Sequence, residues 1–209
     1  MVSENVMYFW SYEHCDEMIW HNASSVPRSL SDAHLLFCPI CDEPLFLKRG
    51  DVRAAHFAHY PDSEVPCSLT PHNLLQVLIL RQFRLSVRLG LRFEFYLRSA
   101  RFPVFFTRDA LGVEMDREVS LVDSTRSDLV ASGSGKPFII EVVDTHHMSS
   151  DTVLRYLGSG YPVLQLDVVD YADFLAGRFL PERLDVSHFF NLDPNECRCS
   201  HCLVPLTLI

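Results

Sequence analysis

The chain has 209 residues, 48% of them hydrophobic and 22% charged, a mixture that can bury a sizeable core and that excludes a disordered or fibrous protein. Its net charge of −9 excludes a protein that coats nucleic acid indiscriminately, because nonspecific affinity comes from cations displacing counterions on phosphate. No apolar run is long enough to span a bilayer and MVSENVMYFW lacks the basic start of a signal peptide, so the expectation is a cytoplasmic protein without membrane contact.

In chain order, NVMYFWSYE and EMIWHNAS are rich in aromatic and branched residues and read as two strands of a hairpin joined at HCD. Residues 36–59, LFCPICDEPLFLKRGDVRAAHFAH, read as a strand, a Cys-x-x-Cys knuckle and a hairpin with KRGD at its turn. Thr70 caps a long, mostly buried helix that carries Pro71 at its first position and stops at Gly90. RFEFYL is a strand, and VFFTRDALGVEMDREVSLVD supplies one or two more. A hairpin follows in TRSDLVASGSGKPFIIEVVDTH, then a short helix at 151–157 closed by Gly158 and Gly160, the strand PVLQLDVV, and a last helix beginning at Asp170.

The strand PVLQLDVV follows the strand at 138–143 through a helical crossover, which demands parallel pairing of the two. The fold class is therefore α/β (α+β), a mixed sheet flanked by helices with a small N-terminal β module. Expected boundaries are 1–67 for the hairpin and zinc-binding module, 68–180 for the core, and 181–209 for a tail with a Cys/His cluster.

Seven cysteines, an odd number clustered with histidines, suit metal binding in a reducing compartment better than disulfides. Cys38 and Cys41, with His56 and His59 downstream, offer two thiolates and two imidazoles for a structural zinc. His-x-x-His is tighter than the usual finger spacing, so Cys67 or His72 is the alternative to one histidine. In the tail, ECRCSHC brings Cys197, Cys199, Cys202 and His201 together as a second zinc site, which His188, His14 or Cys15 could complete.

The hairpin at 125–146 raises the sharpest chemical question. With its turn centred between Ser134 and Gly135, Asp128 faces Glu141 across the strands, their Cβ atoms about 5 Å apart. Like charges so placed destabilise a sheet unless one carboxyl is protonated or a cation lies between them. Hard divalent ions such as Mg²⁺ or Mn²⁺ are held in this way, by one or two carboxylates, a backbone carbonyl (here that of Val142) and water. The plainer reading is a wet sheet face with both acids in solvent. It fits poorly with FIIEVV and VLQLD, which are apolar on both faces.

An αβββαβ order with Asp on one strand and an acid on the next resembles the PD-(D/E)xK nuclease superfamily. RSDLV followed by FIIEVVDTH resembles the competence CoiA-like branch, and FCPICDEPLFLKRGDVRAAHFAHY is similar to the N-terminal zinc-binding module of those proteins. The resemblance spans residues 36–168. It implies a restriction-endonuclease-like core, a DNA nuclease or DNA-processing function, catalytic Asp128 and Glu141, structural zinc and catalytic Mg²⁺ or Mn²⁺.

The third superfamily position, commonly Lys, falls on Val143, which can neither position water nor stabilise charge on phosphate. His146 is the preferred substitute, ahead of Arg155 and Lys136. Between Pro71 and Arg101 six arginines face one carboxylate, Glu94. Arg81, Arg84 and Arg88 from that stripe, with Arg126 and Arg155, are the candidate DNA contacts. The alternative is a catalytically degenerate relative that binds DNA or a protein partner, or forms a homo-oligomer.

Overall fold

A computed structural model describes residues 8–13, 16–97, 106–109, 114–122, 125–133, 137–144, 148–181 and 183–191. Its elements begin with β1 (Trp10–Glu13) and β2 (Asp16–Asn22), antiparallel as the sequence requires, with β3 (Leu36–Phe37) on the other side of β1. A one-turn helix α1 (Arg28–Asp32), which propensity did not announce, lies between β2 and β3. The hairpin of β4 (Leu45–Lys48) and β5 (His56–His59) follows, paired from Leu45↔His59 to Lys48↔His56.

Helix α2 (Pro71–Leu89) has the expected ends: Thr70 Oγ1 accepts the Asn73 N–H at 3.1 Å, and Gly90 leaves the helix at φ 62°. Then come β6 (Arg92–Leu97), β7 (Phe106–Asp109), β8 (Glu114–Val122), β9 (Thr125–Ser132) and β10 (Phe138–Val143). Helix α3 (Ser150–Ser159) is capped by Ser149, whose hydroxyl accepts the Thr152 N–H, and by Gly160 at φ 65°. The chain continues through β11 (Val163–Asp167), a 3-10 turn (Val168–Tyr171), α4 (Ala172–Leu175), β12 (Leu184–Val186) and β13 (His188–Phe190).

Contacts divide the chain into two units, Met1–Arg81 with Tyr171–Pro181, and Gln82–Asp170 with Glu182–Ile209. The return of the segment at 171–181 to the first unit has a packing cause. Phe174 is 1% exposed and stacks on Trp10 at 5.6 Å, and the Trp10 indole N–H donates to the Phe174 carbonyl at 2.8 Å. A burial of that size by aromatic rings outweighs the entropy of ordering a short segment.

In the second unit, the described residues form a five-stranded sheet in the order β13-β11-β10-β9-β8. β8, β9 and β10 run antiparallel in succession, and α3 carries the chain to β11, parallel to β10 from Ile139↔Val163 to Val143↔Asp167. Leu129, Val130, Ile139, Ile140, Leu164 and Leu166 are all buried, so both faces of the central strands are covered. The fold is thus mixed α/β with a mixed sheet and helices. RFEFYL forms a strand as expected, and this strand, β6, lies between β12 and β7 in a separate three-stranded sheet. Pairing parallel with β12 and antiparallel with β7 occupies both of its edges, leaving no ladder for β8. No helix among the described residues is long and apolar enough to cross a membrane.

Candidate metal centre and carboxylate pair

The Cys38–Cys41 knuckle is shaped by its backbone. Cys38 N–H donates to the Glu43 carbonyl at 2.9 Å, Asp42 N–H returns to the Cys38 carbonyl at 3.0 Å, and Asp42 takes the left-handed conformation at φ 62°. Both thiols thereby turn toward the hairpin, where β5 ends at His59. Cys67 approaches beyond it. Ligand atoms of Cys38, Cys41, His59 and Cys67 all lie within 4.8 Å of one another, the one such group among the described residues.

The geometry fits zinc. Cys38 Sγ and Cys67 Sγ are 3.7 Å apart, against an edge of about 3.8 Å for a tetrahedron with Zn–S bonds of about 2.3 Å. Cys41 Sγ lies 3.2 Å from His59 Nε2. The Ile40 N–H donates to Cys38 Sγ and the Tyr8 hydroxyl to Cys67 Sγ, each at 3.4 Å, the outer contacts that orient thiolate ligands. Burial pushes the Cys38 and Cys41 thiols up and holds the His59 imidazole below its ordinary range. A neutral imidazole is already the ligand form, and a bound cation reverses the thiol shifts by taking the thiolates directly.

His56 is not part of this centre. It stands three residues from His59 on one strand, so the two side chains leave opposite faces, about 10 Å apart along the chain. Its Nδ1 instead lies 2.9 Å from the Ala54 carbonyl. Cys67 takes the place expected of His56, and His72 is engaged with Gln76 at 2.8 Å. The second cluster, Cys197, Cys199, Cys202 and His201, lies outside the described residues, as do His14 and Cys15. His188 is described, on the exposed edge of β13.

In the second unit, β9 and β10 pair as Ala131↔Phe138, Val130↔Ile139 and Leu129↔Ile140, and the next step of this register sets Asp128 opposite Glu141. The ladder ends there and the Asp128 side chain takes over, Oδ2 accepting the Val142 N–H at 2.7 Å. Glu141 is 9% exposed, and its carboxyl hydrogen-bonds both Asp128 and the Tyr156 hydroxyl of α3. Ser127 Oγ lies 3.1 Å from that hydroxyl. Burial first, then the charge of Asp128, pushes the Glu141 carboxyl from 4.5 up to about 8, against the lowering effect of Tyr156. Burial, and then Glu141, also raises the Tyr156 phenol.

His146 and Lys136 lie outside the described residues. Val143 is half-buried. Arg155 is exposed, its Nη1 3.5 Å from Thr125 Oγ1, and Arg126 is exposed on β9. Arg81 lies over the Trp20 ring, 5.6 Å from its centroid, so its guanidinium serves packing, whereas Arg84 and Arg88 are exposed on α2.

Sequence reasoning missed Tyr156, Ser127 and two residues of β11. Parallel pairing puts Gln165 beside Glu141 and Asp167 beside Val143, and Gln165 Nε2 donates to Asp167 Oδ1 at 2.7 Å. A glutamine interrupting the apolar run VLQLD was the available signal. Tyr156 had none beyond its place on the apolar side of a short helix.

The Glu141 shift has a direct consequence for stability. Its folded-state value lies above the unfolded one, so the native state binds the extra proton; the stabilisation is complete below about pH 4.5 and is lost as pH rises to about 8. Thermal melts without added divalent ions are expected to show the midpoint falling across that window, and Glu141→Gln to flatten the fall.

Residues 19–68 match the family described as Competence protein CoiA, N-terminal domain. The match supports a relation to the CoiA-like family over this stretch, which holds all four clustered ligands, Cys67 near its end. Neither curated proteins nor solved structures yield a match to the chain.

Proposed function

We propose that the protein is a metal-dependent DNA-processing nuclease related to the competence CoiA-like proteins, with a zinc-stabilised N-terminal module and a phosphodiester-cleaving site built on Asp128 and Glu141. The single observation that carries this reading is the facing of those two carboxyls at the end of a buried ladder, one of them driven far from its ordinary acidity. The family match at the N-terminus and the succession β8-β9-β10-α3-β11, with its acids on the second and third strands, support it independently.

Asp128, Glu141 and the Val142 carbonyl form a donor set suited to Mg²⁺ or Mn²⁺, with water in the remaining positions. An ion held there would supply Lewis acidity toward the phosphodiester and toward an attacking water. The chain's own contribution is orientation: Val142 N–H fixes one Asp128 oxygen, and Tyr156, braced by Ser127, fixes one Glu141 oxygen. With such an ion bound, Asp128 and Glu141 would both be held as carboxylates, free of the proton they otherwise share. His146 is the residue proposed to replace the Lys absent at Val143.

A second reading has its own observation in its favour: apolar, half-buried Val143 suits a degenerate relative that binds DNA without cutting it. Incubation with plasmid and single-stranded DNA in Mg²⁺ or Mn²⁺, with Asp128→Ala and Glu141→Ala alongside, separates the two. Metal-dependent cleavage lost in both variants is expected; DNA binding with no cleavage under either metal selects the second reading.

A further inference from the structure

The N-terminal module has a second feature that the zinc centre does not use. The tip of the β4–β5 hairpin and the start of α1 enclose a cleft of about 520 Å³ whose lining includes Arg28, Lys48, Arg49, Arg53 and His56 against a single carboxylate, Asp51. In a chain of net charge −9 this is a concentrated cationic surface. Its cations divide by role. Arg49 Nη2 donates to the Ala23 carbonyl at 2.6 Å and to that of Val26 at 3.2 Å, fastening the tip to the module core. Arg28, Lys48 and Arg53 are exposed at the surface, Lys48 lying 5.2 Å from the Phe46 ring centroid.

We propose that this cleft grips the phosphate backbone of DNA, with Arg28, Lys48 and Arg53 as phosphate contacts and Arg49 as the residue that fixes the tip. Residues 48–54 are all exposed, so the cleft is an open groove on a hairpin. A small-anion pocket would bury most of its ligand, and this one cannot; a polyanion that runs through and beyond the groove uses all three cations at once. The choice of DNA as that polyanion rests on the function proposed above, whereas the cationic groove does not depend on whether Asp128 and Glu141 cut.

The test is fluorescence anisotropy of the full zinc-loaded chain with a labelled DNA duplex across a salt series. Lys48→Ala with Arg53→Ala is expected to weaken binding about ten-fold or more and to lower the log–log salt slope by about two, one for each lost contact. Arg53→Glu is expected to weaken it further. Arg178→Gln removes an exposed charge paired with Asp173 elsewhere in the same unit and is expected to bind like the wild type. Zinc content and circular dichroism verify that each variant is folded.

Wild-type affinity and slope in the double variant overturn the proposal, as does an equal loss in Arg178→Gln. Tighter cleft-dependent binding of RNA or polyglutamate overturns the choice of partner. So does displacement by inorganic phosphate where chloride of equal ionic strength has no effect. A chain that never cleaves but loses DNA with Arg53→Glu overturns the nuclease reading and upholds the cleft.

Discussion

Replacing Cys67 by serine is expected to strip zinc from the N-terminal module and unfold it, whereas replacing His56 by alanine leaves the metal in place. The buried cluster around the centre is small, comprising Ala23, Val26, Leu36, Cys38, Leu45, Leu47 and Phe57. A core of that size supplies only a few kcal/mol beyond the entropy of ordering the chain. Structural zinc contributes apparent binding energies of about 10–16 kcal/mol, so losing one thiolate removes more than the remaining core provides. Metal analysis per chain and thermal unfolding read both effects. Cys38→Ser, Cys41→Ser and His59→Ala are expected to behave like Cys67→Ser, each lowering the zinc count by one ion. Zinc retained in Cys67→Ser and lost in His56→Ala would restore the Cys-x-x-Cys, His-x-x-His arrangement. The wild-type count also tests the tail cluster, since a second ion at Cys197, Cys199, Cys202 and His201 raises it from one to two.

What could be read from the chain beforehand follows a simple physical division. Local signals spoke clearly: Thr70 and Pro71 fixed where α2 begins, Gly90 where it ends, and the turn residues ASGSGKP in the sequence fixed which residues of β9 and β10 face each other. The crossover through α3 required β11 to run parallel to β10, because a short helical connection permits little else. Non-local choices spoke less clearly. Cys67 reaches the centre across a loop after β5, a contact that no local spacing selects. Strand alternation could have excluded His56 from the start, since two side chains three apart on a strand cannot meet at one ion. β6 shows the complementary limit: its apolar pattern identified a strand, but partner choice lay with β7 and β12, the latter far along the chain, and no local signal encodes such a pairing.

Replacing Glu141 by glutamine is expected to stabilise the divalent-free protein and to abolish the proposed cleavage of DNA, two effects of opposite sign from one atom. Glutamine keeps the shape of the protonated acid. Its carbonyl still accepts from Tyr156, and its amide still donates to Asp128, but it carries no charge against that carboxylate at any pH. At pH 8 and above, where the wild-type residue must ionise while buried beside Asp128, the variant is therefore the more stable, by an amount on the order of a few kcal/mol. The same change removes an anionic ligand. Loss even of outer contacts to a metal costs about 10–100-fold, so cleavage is expected to fall by more than about 100-fold. Adding Mg²⁺ or Mn²⁺ should raise the melting point of the wild type, because a cation between the acids relieves the repulsion, and leave Glu141→Gln nearly unmoved. A variant that is no more stable than the wild type, melts identically with and without the ions, and cleaves as before would show that Asp128 and Glu141 are only a proton-sharing pair of the core.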